Sequence, residues 1–304
     1  MAIRTPLVRL HVDAPAEIWL KLENLQPIGS FKLRGAANAI LSAPPEVLAD
    51  GVVTTSTGNM AQGVAWMARE LGVPATIVVP DNASASKLAA VERLGGRIVR
   101  LPWEQWWAAV AADTERDLGD DVEGYFVHPV QDDPVMAGNG TIGLELVEDL
   151  DAFDAVLIPW GGGGLTTGVA SALQGLRPQT KIYVCEPATG APVAAAIANG
   201  RVPKSIDFTP SFVDGAGSGS LLPKMWAYAE PLVTDAFPIS LEDTAAGVRL
   251  LLERGRIVGE GAAGLTVAAA VSGRAGEGRV VCLVSGGNID SVRLTTILDG
   301  RVPD

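Results

Sequence analysis

A chain of 304 residues, 48% hydrophobic and 19% charged, is long enough to bury one or two α/β cores and has the makeup of an ordinary folded protein. Its net charge of −12 repels phosphate backbones and anionic lipids, which argues against nucleic-acid and membrane partners. No window holds the ~20 apolar residues of a membrane span. MAIRTPLVRLHVDAPAEIW lacks the apolar run of a secretory leader, and Cys185 and Cys282 lie inside apolar runs at no metal or disulfide spacing, so the cytoplasm is the expected compartment.

In chain order, PIGSFKLRGA predicts a helix opening near Leu33. VVTTS (52–56) predicts a strand, AQGVAWMARELG (61–72) a helix, ATIVVP (75–80) a strand, SKLAAVERLGG (86–96) a helix and RIVRLP (97–102) a strand. The stripe Trp103, Trp106, Trp107 predicts a helix packed on the core, and PVMAGNGTIGLELVEDL a further helix. AVLIPW (155–160), GLTTGVASALQGL (164–176) and KIYVCE (181–186) repeat the strand–helix–strand pattern. Residues 200–222 predict a long irregular connection, and RVVCLVSGG (279–287) a last strand. Near-continuous apolar strands joined by helices predict an α/β chain with open, mainly parallel twisted sheets. Two domains are expected: a small one over residues 51–131, and a large one formed by residues 1–50 and 132–304.

Four segments carry chemistry. Of the six lysines (Lys21, Lys32, Lys87, Lys181, Lys204, Lys224), Lys32 alone lies in a Gly/Ser-flanked stretch, with no acidic residue in it. A lysine buried there would give up its proton more readily and attack an aldehyde; the plainer reading is a surface lysine opening a helix. Ser56-Thr57-Gly58-Asn59 runs from a strand into a helix, so its amides form either an anion site or a simple cap. Gly161-Gly162-Gly163-Gly164 opens another helix with no Cβ to keep a phosphate from the backbone N–H groups. The same stretch also fits a rival: Gly162, Gly164 and Gly168 follow a GxGxxxG spacing with Glu186 about 20 residues on, near a dinucleotide signature, although Thr167 breaks the stricter form. SGGNID places Ser285 at a strand's carboxyl end, where α/β ligands bind.

In this order SFKLRGA, STGN, GGGGL and SGGN resemble the fold-type II pyridoxal-phosphate enzymes, in particular the threonine/serine dehydratase and serine racemase family. SKLAAVERLGG, HPVQDDPVMAGNGTIGLE and VDGAGSGS are similar to it too, so the resemblance covers nearly the whole chain. It implies a tryptophan-synthase-β-like fold and pyridoxal 5'-phosphate as cofactor. Lys32 would hold the cofactor and act as catalytic residue, with Phe31 beside the ring and Asn59 at its phenolic oxygen. Gly161, Gly162, Gly163, Gly164 and Leu165 would take the phosphate, and Ser285 would face the pyridine nitrogen. Ser56, Thr57, Gly58, Asn59 and Met60 would bind the substrate carboxylate, with Ser218 a further substrate contact and Glu260 in outer support.

The implied activity is α,β-elimination of a small β-hydroxy amino acid, threonine or serine by default, to a 2-keto acid and ammonium. The implied assembly is a homodimer. The alternatives are an amino-acid racemase using the Thr57 hydroxyl, a dehydratase for another β-hydroxy amino acid, and, remotely, a nicotinamide-dependent oxidoreductase. Three positions depart from the family pattern. Met60 stands where His is usual, and Thr57 where dehydratases carry Ala and the racemase Ser. The family's divalent cation pairs a strand-end Glu with a second acid; Glu186 is present, but Pro192 occupies the second position.

Overall fold

The computed structural model describes residues 1–83, 85–112, 118 and 122–304. Along the chain run β1 (Leu7–Leu10), β2 (Glu17–Leu22), α1 (Lys32–Ser42), β3 (Val52–Thr55), α2 (Asn59–Leu71), β4 (Ala75–Pro80), α3 (Ala85–Arg93), β5 (Arg97–Leu101), α4 (Trp103–Ala111) and β6 (Tyr125–Phe126). Then follow α5 (Asp133–Asp149), β7 (Ala155–Pro159), α6 (Gly164–Leu176), β8 (Lys181–Pro187), α7 (Pro192–Asn199), α8 (Pro223–Ala229), β9 (Asp235–Ile239), α9 (Leu241–Leu250), α10 (Gly261–Val271), β10 (Arg279–Val284) and α11 (Ser291–Leu298). None of the described helices is long and apolar enough to cross a membrane. The connection over residues 200–222 holds no helix or strand, as expected of it.

These elements form two compact units: residues 1–3 with 26–139, and residues 4–25 with 140–304. The sheet of the first unit has the order β5-β4-β3-β6, parallel throughout. Its apolar strands are covered on both faces: Val52, Ile77 and Val79 pack with α1 and α2, while Val53, Val78 and Leu101 point the other way. Trp106 joins that second cluster and donates its indole N–H to the Val78 carbonyl at 3.1 Å. Trp103 and Trp107 do not follow it inward; they are exposed and stacked on each other at 6.3 Å, so only part of the predicted stripe is core.

The sheet of the second unit has the order β1-β2-β10-β7-β8-β9, parallel except where β1 pairs with β2. Leu157, Cys185 and Cys282 share one core, and Val184 packs with Trp160 and Trp226 in another. Both cysteines are buried free thiols. Two mainly parallel sheets are thus present, as the residue pattern implies.

The division between units falls elsewhere than at 50 and 132, because α1 packs closely on α2. A Cβ at Gly63 would lie 3.2 Å from that of Ala36 and 3.3 Å from the Lys32 carbonyl. The head of α5 is tied to α1 as well, through Asn38 Nδ2 donating to the Pro134 carbonyl at 2.7 Å. Residues 26–50 and 132–139 therefore group with the small sheet.

Each sheet contains one reversal of strand order. In the first unit the chain moves outward through β3, β4 and β5 and then places β6 on the far side of β3. In the second it runs through β7, β8 and β9 before setting β10 on the far side of β7. The carboxyl ends of strands flanking such a reversal open a crevice in which α/β proteins bind ligands.

Candidate active site

In the first unit the crevice lies beyond β3 and β6. β3 leads into Ser56–Gly58, where the Gly58 N–H donates to the Ser56 hydroxyl at 3.2 Å, and α2 begins at Asn59. A Cβ at Gly58 would touch nothing within 4 Å, so the loop has open space on that side. Met60 is 1% exposed and belongs to the core that contains Leu33, Val64 and Ile77. Its side chain is therefore a packing group, and the loop gains from it only a backbone N–H.

β6 pairs with β3 through Val52↔Tyr125 and Val53↔Phe126, and Pro129 lies in the turn three residues after β6. The Pro129 carbonyl accepts from Lys32 Nζ at 2.6 Å. Lys32 opens α1, half-buried, and its ammonium lies 5.3 Å from the centre of the Phe31 ring. The turn carrying Pro129 is built on buried His128. His128 Nδ1 accepts from the Val130 and Gln131 N–H groups at 3.0 and 2.8 Å, and Nε2 lies 2.9 Å from the Val110 carbonyl. An Nδ1 that accepts twice leaves the proton on Nε2, which makes the ring a neutral brace.

Lys21 is the rival amine, fully buried on β2. Its Nζ is held by the Thr5 carbonyl at 2.7 Å, Glu145 at 2.6 Å and Asp149 at 3.3 Å. Three acceptors use all three ammonium protons, so Lys21 is a structural cation and no nucleophile.

In the second unit the crevice lies beyond β7 and β10. β10 pairs with β7 as far as Cys282↔Leu157; Ser285 directly follows β10, and Trp160 directly follows β7, immediately before the four-glycine turn. Ser285 is 2% exposed. The glycines have packing reasons as well as chemical ones: a Cβ at Gly161 would lie 2.9 Å from the Gly215 carbonyl, and one at Gly163, where φ is +97°, 2.7 Å from the Trp160 ring. The first intrahelical bond of α6 runs from the Thr167 N–H to the Gly163 carbonyl, so the Leu165 and Thr166 N–H groups point out of the helix end. The hydroxyls of Thr166 and Thr167, in the same turn, are buried without a protein hydrogen-bond partner. Outward amides, a helix dipole and buried hydroxyls fit an acceptor-rich anion such as a phosphate.

The Ser285-Gly286-Gly287 turn packs on the entry to α10. The Glu260 N–H donates to the Gly286 carbonyl at 3.0 Å, and a Cβ at Gly286 would strike the Glu260 carboxylate at 2.6 Å. The same carboxylate would lie 3.3 Å from a Cβ at Gly215, so Glu260 supports both the Ser285 turn and the loop before Ser218. Ser218 is half-buried and donates its hydroxyl to the Ser220 carbonyl at 2.8 Å.

Glu186 is fully buried, with its oxygens accepting from the Val193 and Ala194 N–H groups at 3.0 and 2.9 Å. Burial pushes its pKa up to about 7, against the lowering effect of those two amides. A carboxylate so occupied is in no position to bind a ribose, so the dinucleotide reading loses its acid. The donor set does not fit a divalent cation either: Pro192 offers no side-chain ligand, and the described residues contain no cluster of three or more His, Cys, Asp or Glu able to hold one.

Sequence reasoning missed His128 and Pro129 as the support of Lys32, and the Thr166 and Thr167 hydroxyls. The adjacency of HPV to β6 and the TT pair after the glycines were the available signals.

The class these features define is an α/β protein with a crevice at the strand ends of each unit, one beside a lysine amine and the other beside a helix end suited to an anion. Residues 2–286 match the model of the family described as pyridoxal-phosphate dependent enzyme. The chain is 37% identical over 304 residues to the L-threonine ammonia-lyase of Geobacter sulfurreducens, covering 97% of this chain and 74% of that one. It is 34% identical over 282 residues to the serine racemase of Homo sapiens, covering 90% and 82%. The solved structure of maize serine racemase superposes with a TM-score of 0.85 at 30% identity, covering 97% of this chain and 91% of that one. The chain belongs to the pyridoxal-phosphate-dependent enzymes of fold type II, and its cofactor is pyridoxal 5'-phosphate.

Proposed function

We propose that the protein is an ammonia-lyase that converts a small β-hydroxy amino acid, threonine or serine, into a 2-keto acid and ammonium. The observation that carries this reading is Ser285, a buried residue directly after β10, the strand beside the β7 that leads into the glycine turn. Names of similar proteins, L-threonine ammonia-lyase among them, support the same reaction class.

In this reading Lys32 holds the cofactor aldehyde, Gly161 to Leu165 with the Thr166 and Thr167 hydroxyls take its phosphate, and Phe31 and Asn59 flank its ring. When bound, pyridoxal phosphate supplies an electron sink for bonds broken at the substrate α-carbon. Ser285 would offer the cofactor's ring nitrogen a neutral hydroxyl as its partner, and a sink tuned that way would favour losing the β-hydroxyl together with the α-proton. The amides of Ser56 to Met60 and the Ser218 hydroxyl hold the substrate. Lys32 Nζ removes the α-proton and returns a proton to the departing hydroxyl, a general-base and general-acid pair in one amine.

The test is a panel of β-hydroxy amino acids scored for keto acid and ammonium, beside the Lys32→Ala variant. Threonine or serine should give product, and Lys32→Ala should lose turnover by about 10³-fold or more together with the visible absorption that borohydride quenches in the parent. Recovery of inverted substrate without keto acid would instead assign the site to racemisation through Thr57. Borohydride-sensitive absorption that survives in Lys32→Ala would place the cofactor on another amine.

A further inference from the structure

Helix α7 starts without a cap of its own. Ala191 stands at its N-cap, and Pro192 at the first helical position has no N–H to satisfy. The next two amides, of Val193 and Ala194, are the ones that donate to Glu186, at 3.0 and 2.9 Å. The turn between β8 and α7 is stitched at other points as well. The Ala188 N–H donates to the Ile239 carbonyl at 2.7 Å, the Gly190 N–H to the Pro187 carbonyl at 2.9 Å, and the Gly190 carbonyl accepts from the Ser218 N–H at 3.3 Å. Gly217, one residue before, donates to the Trp160 carbonyl at 2.8 Å, at the head of the glycine turn. One carboxylate thus anchors a short turn, and that turn anchors the loop bearing Ser218.

We propose that Glu186 is a positioning residue whose carboxylate takes the α7 amides as its partners in place of a divalent cation, clamping β8 to α7 and through them the Ser218 loop, so that the holoenzyme is independent of divalent metal. A divalent cation at Glu186 would need several more oxygen ligands, and Pro192 supplies none. It would also face the positive end of α7, whose amides already provide the partial charge and the donors. The effect on substrate rests on the reading of Ser218 given under Proposed function; the effect on stability does not.

The experiment is thermal unfolding of the pyridoxal-phosphate-loaded enzyme in EDTA and in millimolar Mg²⁺, Mn²⁺ or Ca²⁺ at matched ionic strength. Tm should agree within about 1 °C across all four conditions, whereas a cation present at a thousand times its Kd would raise it by roughly 8 °C or more. Glu186→Ala should lower Tm by about 4 °C or more, unrelieved by any of the cations, and Glu186→Gln, which keeps one acceptor, should recover at least half of that loss. Glu186→Ala should also raise KM several-fold with kcat nearly kept. A cation-induced rise in the parent Tm, or Glu186→Ala unfolding at the parent temperature, overturns the clamp, and an unchanged KM overturns its reach to the Ser218 loop. Should Glu186→Ala fail to fold, the parent cation series and Glu186→Gln still decide. A protein that behaves as expected in these melts yet makes no keto acid sinks the elimination reading and leaves the clamp standing.

Discussion

Met60 shows how a position can be legible in sequence while the place of its side chain is not. It follows the loop Asn, where the family resemblance implies an imidazole, and its side chain lies in the core of the first unit at 1% exposure. Met60→Leu conserves apolar volume and should keep both Tm and kcat/KM near the parent values. Met60→His places a polar ring among Leu33, Val64 and Ile77 and should cost about 1–3 kcal/mol, seen as a lower denaturation midpoint. A stable Met60→His with higher turnover would mean that the side chain reaches substrate. As candidates, Asn59, the glycine run and Ser285 were legible because each follows an apolar strand directly, and Lys32 because it opens a helix in a Gly/Ser-flanked stretch. The Pro129 carbonyl under Lys32 and the Glu186 clamp were not, because a backbone acceptor 97 residues away and a cap 7 residues upstream leave no local pattern.

At the scale of elements, apolar runs flanked by glycine located the parallel strands β3, β4, β5, β7, β8 and β10 to within a residue or three. The strands that escaped have reasons to. β2 carries Lys21 and Glu17 within EIWLKL, β9 carries a proline, and β6 is two residues long, so none reads as a continuous apolar run. Glycines inside helices were the other ambiguous signal, and their surroundings separate two kinds. Gly264 on α10 faces α9, where a Cβ would lie 2.5 Å from the Thr244 carbonyl and 2.7 Å from Val248. Gly175 on α6 would meet nothing within 4 Å. Gly175→Ala should therefore stabilise by about 0.5–1 kcal/mol through helix propensity. Gly264→Ala should destabilise by about 1–3 kcal/mol, because two helix backbones must part. Paired urea melts check this, and equal shifts for both variants would deny the close crossing of α9 and α10.

For the whole molecule, two carboxylates of the second unit titrate in opposite senses, and together they shape stability against pH. Asp149 is partly desolvated, which raises its pKa, but hydrogen bonds from Arg4 and Lys21 and their charges outweigh this and hold it below the usual value. A depressed pKa contributes stability above the unfolded value near 3.9, and that contribution is lost as pH falls through the folded value. Glu186 is the reverse case, raised by burial to about 7. Its contribution is full below the unfolded value near 4.3 and is lost as pH rises through about 7, an effect of at most about 4 kcal/mol. Tm should therefore fall on acidification below about pH 4, and decline from about pH 5 to pH 8 on the other side. Glu186→Gln carries no proton to lose and should flatten the upper decline while leaving the acid limb intact. Melts across the pH range for parent and variant decide the matter. If the slope between pH 5 and 8 persists in Glu186→Gln, the buried carboxyl at the head of α7 is not its source, and the self-repulsion of a chain with 35 acidic and 23 basic residues is the cause that remains.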